Sequence, residues 1–133
     1  MTGLTSAMEL APLGGGESAV SFRIRNEGAE PVELRWVEPF ASFGLEAEVG
    51  GAPARIVGGV YDGGVRRVQD ILAAGEERSI ATAVTLGFDP GAAPADPGPQ
   101  TRWRIAHAPA DTLLRATIDV GAGPLSCEAT LRP

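Results

Sequence analysis

The sequence predicts an all-β protein: an antiparallel β-sandwich of eight or nine strands, with at most one short helix near residues 65–74. Three observations lead to this fold class. Apolar and polar residues alternate with a period of two in many short runs. The 18 glycines and 11 prolines are spread along the chain, so they separate short strands rather than mark one disordered segment. The length of 133 residues fits one domain, which we expect to span residues 1–133.

The clearest strand pattern lies in residues 20–37, where two alternating runs flank a turn rich in Gly, Pro and charged residues. The pattern predicts a β-hairpin with one buried face and one solvent-exposed face. The apolar positions of this predicted hairpin are Val20, Phe22, Ile24, Val32, Leu34 and Trp36. We expect Trp36 to lie at the centre of the core, as tryptophan does in many sandwiches.

The same alternation predicts strands along the rest of the chain. A first strand covers residues 4–13, and the triple glycine at residues 14–16 turns it into the predicted hairpin. Pro39 ends the strand that contains Trp36, because proline cannot donate a hydrogen bond to a sheet. Further strands are predicted at residues 43–49, 54–60, 79–86, 102–106, 114–120 and 125–131. Outside the predicted hairpin, the core positions are Leu45, Ile80, Val84, Trp103, Ile105, Ile118 and Leu131.

Residues 61–75 fit two different structures. Val65, Val68 and Leu72 have helical spacing, and Gly75 is placed to end such a helix. However, glycines at positions 63 and 64 would occupy its first turn, where they disfavour helix formation. We therefore favour a loop followed by a strand at residues 68–72.

Two short motifs resemble bacterial immunoglobulin-like domains. The first is Phe22-x-Ile24-x-Asn26-x-Gly28-x-x-Pro31-Val32-x-Leu34, in which an apolar strand ends in Asn, turns, and resumes after Pro-Val. The second is the turn at residues 72–76, similar to a Leu-x-Pro-Gly-Glu turn before a late strand, with Ala74 where proline is usual. The order of features is similar to the bacterial intracellular proteinase inhibitor domain. The resemblance covers residues 19–86 and implies an immunoglobulin-like sandwich, but it transfers no functional residue, because no inhibitory-loop motif is present.

Composition disfavours several classes of function. The net charge is −6 and all 11 basic residues are arginine, an acidic balance that argues against nucleic acid and anionic membranes as partners. No apolar run approaches the length of a membrane span. The bias towards Arg, Ala, Gly and Pro is typical of a GC-rich bacterial genome. Since the N-terminus has no secretory signal pattern, we expect a bacterial cytoplasmic protein.

Few side chains carry reactive chemistry. His107 is the only histidine and lies near a predicted strand end, and no Gly-x-Ser-x-Gly motif accompanies it, so we expect no enzyme. Cys127 is the only cysteine, and its alternation with apolar neighbours predicts a buried thiol. One His and one Cys are too few for a usual zinc site, and no calcium or phosphate loop is present, so no metal or cofactor is expected.

The remaining hypothesis is a non-enzymatic module that binds another protein. The binding surface would be the loops at 60–67 and 89–100, or an open sheet edge. A protease inhibitor or regulator is the narrower form, implied by the resemblance alone. Two alternatives stay open: a structural or oligomer-forming sandwich, and a small enzyme or ligand carrier that uses His107. The partner and the oligomeric state do not follow from the sequence. The candidate contact residues are Tyr61, Arg66, Arg67, Asp89, Pro90 and Pro97.

Overall fold

The computed structural model describes residues 3–41, 43–58, 63–92 and 101–133, which form strands and no helix. Residues 66–72 are a strand, so the favoured prediction for this region is confirmed and the helical alternative is wrong. The described ranges contain eleven strands: β1 (Leu4–Gly14), β2 (Glu17–Asn26), β3 (Val32–Glu38), β4 (Gly44–Val49), β5 (Ala52–Ala54), β6 (Ile56–Val57), β7 (Arg66–Leu72), β8 (Glu77–Phe88), β9 (Arg102–Ile105), β10 (Thr112–Asp119) and β11 (Pro124–Leu131). This number exceeds the predicted eight or nine partly because β5 and β6 are two separate strands, whereas the sequence predicts one strand from residue 54 onwards.

The strands form three sheets. The largest has the order β1-β2-β8-β9-β6, the second has the order β11-β10-β4-β5, and the third pairs β3 with β7. All named strand pairs are antiparallel except β8 with β9. The Arg35 N–H donates to the Val120 carbonyl at 2.7 Å, so β3 lies beside the end of β10. The two smaller sheets therefore form one side of a β-sandwich, and the five-stranded sheet forms the other.

One continuous apolar core lies between the two sides. It is built by the period-2 alternation that the sequence shows, because each strand turns alternate side chains inward. Val32, Leu45 and Trp103 are only partly buried, although the sequence places them in the core. Buried positions that the prediction left out of its core include Leu4, Met8, Phe40, Leu72, Leu86, Leu114 and Val120. The predicted core positions that are buried are Val20, Phe22, Ile24, Leu34, Trp36, Ile80, Val84, Ile105, Ile118 and Leu131.

The predicted hairpin at residues 20–37 is wrong in its pairing, although both of its strands exist. β2 pairs with β1 and β8, whereas β3 pairs with β7 in another sheet. The fully buried Asn26 explains why the chain crosses from one sheet to another between β2 and β3. Its amide Nδ2 donates to the carbonyls of Glu30 (2.8 Å) and Leu72 (3.0 Å), and its Oδ1 accepts from the Gly28 N–H (3.0 Å). These bonds direct the chain away from β2 and tie the crossing to the end of β7.

The hairpin of this region is instead formed by β1 and β2, in register from Leu4 opposite Asn26 to Gly14 opposite Glu17. The triple glycine makes the turn between these strands, as the sequence predicts. β1 also lies against β11, where the Ser6 hydroxyl donates to the Ser126 carbonyl at 3.4 Å. At this edge of the sandwich, β1 of the five-stranded sheet and β11 of the four-stranded sheet therefore cover each other.

β3 ends at Glu38, directly before Pro39, as predicted. The chain then brings two phenylalanines into the core. Phe40 bridges Thr82 of β8, and its ring lies 6.0 Å from that of Phe22 in an edge-to-face arrangement. Phe43 lies 5.0 Å from Phe22 and 5.0 Å from Trp103. This aromatic cluster joins the five-stranded sheet to the segment between β3 and β4.

Candidate functional site

The predicted contact residues at 89–100 are only partly described. Pro97 lies outside the described residues, and Pro90 is exposed. Asp89 stabilises the local turn: its Oδ1 accepts from the Gly91 N–H at 3.0 Å, and its carbonyl accepts from the Ala92 N–H at 3.0 Å. Its second carboxylate oxygen lies 3.5 Å from Arg104 Nη1. These contacts within the chain give Asp89 a structural role, so no binding partner is needed to account for this residue.

The other predicted contact segment, residues 60–67, ends in a strand rather than a loop. Tyr61 lies outside the described residues, but Arg66 and Arg67 belong to β7. Arg66 Nη2 pairs with Glu38 Oε2 at 2.5 Å, directly across the β3–β7 register. Arg67 is exposed and has no ion-pair partner within the ranges that the structure describes. The two arginines thus mark the beginning of a strand.

β7 is an edge strand whose only strand partner in the described part of the chain is β3. Arg35, opposite Gln69, directs its N–H away from β7 to Val120. Arg35 and Gln69 are therefore a non-hydrogen-bonded pair. In an antiparallel ladder, both residues of a non-hydrogen-bonded pair point their N–H and C=O groups away from the partner strand. The N–H and C=O of Gln69 therefore point out from the sheet edge. By alternation, those of Arg67 and Ile71 do so too.

One of these outward groups already has a partner. The Ile71 N–H donates to Oδ1 of Asp70 at 2.8 Å, which is the position of a strand partner's carbonyl. Asp70 also forms an ion pair with Arg78 of β8 at 2.7 Å, with both side chains more than one-third exposed. Charged residues at an edge are a common way to limit unwanted strand pairing. The Arg67 and Gln69 backbone has no such cover from the described residues.

Apolar side chains flank this open backbone. Val65 is 55% exposed and Ile71 is 63% exposed, two of the three large apolar residues that are most exposed among those described. Beside them, a shallow groove of about 540 Å³ runs along the outer face between β3 and β7. It is lined by Arg35, Trp36, Val37, Arg67, Val68 and Gln69. Unpaired backbone and exposed apolar side chains therefore coincide at one edge, which we call the β7 edge (residues 65–71), and the groove lies on the adjoining sheet face.

The other sheet edges offer less. β1 is covered by β11, β5 has three residues, and β6 has two. On the outer face of the four-stranded sheet, Arg115 lies 2.8 Å from Glu128 and 3.8 Å from Glu48. The hydrogen bond to Glu128, followed by the charge of Glu48, raises the pKa of the Arg115 guanidinium. Exposed ion pairs of this kind contribute little to stability.

The two arginines of β9 form ion pairs with acidic side chains of other segments. Arg102 Nε lies 2.6 Å from Glu17 Oε1, across the intervening strand β8. The Arg104 side chain is mostly buried beside Asp89. These two cations are therefore engaged within the fold.

His107 follows the end of β9. Its ring Nδ1 lies 2.7 Å from the Ala108 carbonyl, and its backbone N–H donates to the Ile105 carbonyl at 2.8 Å. Within the described residues, no serine hydroxyl or carboxylate hydrogen-bonds to the ring. In those same ranges, no three His, Cys, Asp or Glu side chains are grouped as metal ligands.

Cys127 is buried on β11, as its alternation predicts. Burial raises the pKa of its thiol, and a hydrogen bond with Ser6 opposes this in part. Because the folded pKa lies above the unfolded one, the thiol contributes stability that is present below the unfolded pKa and is lost as pH rises through the folded value.

We expect Ellman's reagent to modify Cys127 at least tenfold more slowly at pH 8 in the native protein than in urea, because only an accessible thiolate reacts. Glutathione in the same two buffers controls for the effect of urea on the reagent. Equal rates for native and unfolded protein would contradict a buried, protonated thiol.

Comparisons with known proteins do not place the chain in a family. No protein-family model matches it, and no curated protein matches it. Among solved structures, a β-glucosidase from Streptomyces venezuelae in complex with D-glucose is similar at 16% identity, with a TM-score of 0.37. The match covers 96% of this chain and 14% of that one, and at this TM-score it supports no functional argument. Across the described ranges, no helix is long and apolar enough to cross a membrane.

Proposed function

We propose that this protein is a non-enzymatic binding module, an immunoglobulin-like sandwich of the bacterial cytoplasm whose β7 edge accepts an extended segment of a protein partner as an additional strand. The observation that carries the proposal is the outward-pointing backbone of Arg67 and Gln69 on an edge strand. Strand addition uses such backbone groups for affinity and the flanking side chains for specificity. Val65 and Ile71 supply exposed apolar contacts on the same edge.

The arrangement of the sheet crossings supports the immunoglobulin-like assignment. The chain crosses from the five-stranded sheet to β3 after β2 and crosses back from β7 to β8; between these points only the two-residue β6 pairs with the five-stranded sheet. The two motifs that resemble immunoglobulin-like domains stand at these two crossings. Asn26 joins them, because its N–H donates to the Glu76 carbonyl at 3.0 Å and its carbonyl accepts from the Gly75 N–H at 2.7 Å. A protease inhibitor or regulator is the narrower form of this proposal and rests on the resemblance of residues 19–86.

Gln69→Pro tests the proposal, because it removes an outward N–H that the β3 ladder does not use. We expect this substitution to reduce partner capture at least tenfold. The experiment uses immobilised protein, a native-host lysate and quantitative mass spectrometry. The proposal is supported if the wild type and Gln69→Ala retain the same protein and Gln69→Pro does not retain it.

Gln69→Ala is the matched control. It keeps the N–H and loses only an exposed side-chain bond to Glu33 (2.8 Å), an effect of about 0.5 kcal/mol or less on stability. Thermal melts verify that both variants are folded. If Gln69→Pro is unstable, Ile71→Lys is the second variant, since an edge lysine opposes strand addition without a change to the backbone. Equal capture by the wild type and a folded edge variant would overturn the proposal.

A further inference from the structure

We infer that the strand accepted by the β7 edge is β7 of a second copy of this chain, paired antiparallel about a two-fold axis at Val68. This inference rests on the proposed function, since it requires that the edge accept a strand. It specifies the partner by chemistry: the β7 edge is complementary to itself. In this register, Val65 lies opposite Ile71 of the second copy, Arg66 opposite Asp70, and Arg67 opposite Gln69.

The hydrogen-bonding directions permit this register. The backbone groups of Arg67, Gln69 and Ile71 point out from the edge, so outward residues must face outward residues. Arg67 then exchanges bonds with Gln69 of the second copy, and Val65 with Ile71. Val68 faces its own symmetry mate in a non-hydrogen-bonded pair. The Cβ atoms of such a pair are about 4.5–5.5 Å apart.

The side chains favour this register over its neighbours. It joins the two exposed apolar residues, Val65 and Ile71, and it places Arg66 opposite the acidic Asp70 twice in each interface. An axis at Arg67 would instead place that arginine opposite itself. An axis at Gln69 would place Arg67 opposite Ile71 and Asp70 opposite Val68. Like charges or a charge against an apolar residue make both of these registers worse.

In a single copy, the Asp70 carboxylate covers one backbone group of the β7 edge, since its Oδ1 accepts from the Ile71 N–H. In the proposed dimer it exchanges this contact for a new partner. In the pair, the carbonyl of Val65 from the second copy takes that N–H, and the Asp70 carboxylate faces Arg66 of the second copy. The strand of seven residues spans about 23 Å. An interface of this size is small, so we expect a reversible dimer with a dissociation constant of about 1 µM or weaker.

Site-specific cross-linking tests both the pairing and its register. Val68→Cys places two thiols opposite each other on the proposed axis, in a geometry that suits a disulfide. We expect mild oxidation to link most Val68→Cys protein into a covalent dimer. Gln69→Cys, the matched control one residue along the strand, should cross-link at least tenfold less, because it faces position 67. The wild type controls for Cys127, which is buried.

Sedimentation equilibrium supplies an independent readout. We expect the apparent mass of the wild type to rise from 13.7 kDa towards twice that value with concentration, and Gln69→Pro to remain at the lower mass. A wild type that is monomeric throughout, without a Val68→Cys dimer, would overturn self-pairing. Preferential cross-linking of Gln69→Cys, or a dimer insensitive to Gln69→Pro, would overturn it too. Binding of a different protein at the edge is measured separately by the capture experiment, so failure of self-pairing can be distinguished from failure of the proposed function.

Discussion

Phe22→Ala is expected to lower the free energy of unfolding by about 3–5 kcal/mol, the usual cost of a large-to-small change at a fully buried aromatic residue. Phe22 has no exposed surface, and its ring makes edge-to-face contacts with Phe40 and Phe43. Those two rings also stack on each other at 5.9 Å. Alanine would leave a cavity where the five-stranded sheet meets the segment after β3. Urea denaturation monitored by circular dichroism measures the loss.

Phe22→Leu separates the lost aromatic contacts from the lost volume. Leucine fills much of the space, so we expect a cost of about 1–2 kcal/mol. Leu13→Ala, at a residue that is 59% exposed, should change stability by about 0.5 kcal/mol or less. A loss for Phe22→Ala as small as that of Leu13→Ala would contradict its place at the centre of the core.

Asn26→Ala is expected to cost about 3 kcal/mol or more, although it removes only a small polar side chain. The side chain makes three hydrogen bonds, to Glu30, Leu72 and Gly28. Alanine would leave two carbonyls and one N–H without these partners. The bond to Leu72 is buried and the other two are partly buried, and a buried group left without a partner costs about 1–3 kcal/mol. The loss is a large fraction of a typical domain stability of about 5–15 kcal/mol. Chemical denaturation measures it.

Asn26→Asp tests which of these bonds matter. The carboxylate keeps an acceptor for the Gly28 N–H but replaces the amide donor with an oxygen that faces two carbonyls. We therefore expect it to be at least as destabilising as alanine at neutral pH. Gln69→Ala, the loss of an exposed amide, serves as the control. If Asn26→Ala costs no more than Gln69→Ala, Asn26 does not hold the sheet crossing together.

The period-2 alternation predicted the strands and most of their inward faces, because side-chain burial leaves its pattern within each strand whatever that strand pairs with. Ile24, Leu34 and Ile118 are buried for this reason. Cys127 was predicted by the same alternation. The positions left out of the predicted core lie both within strands and between them: Leu86 is buried in β8, and Phe40 is buried although it lies outside any named strand.

The sequence alone determined an all-β fold and excluded the obvious catalytic and metal motifs, since these follow from local pattern and composition. Only the tertiary structure decided which strands pair. The local turn between β2 and β3 predicts a hairpin, but the bond from Asn26 to Leu72, 46 residues away, directs β3 into another sheet. That pairing leaves β7 at an edge and turns Arg67 and Gln69 outward. An open edge is a property of sheet order, and sheet order depends on contacts between residues that are distant in the chain.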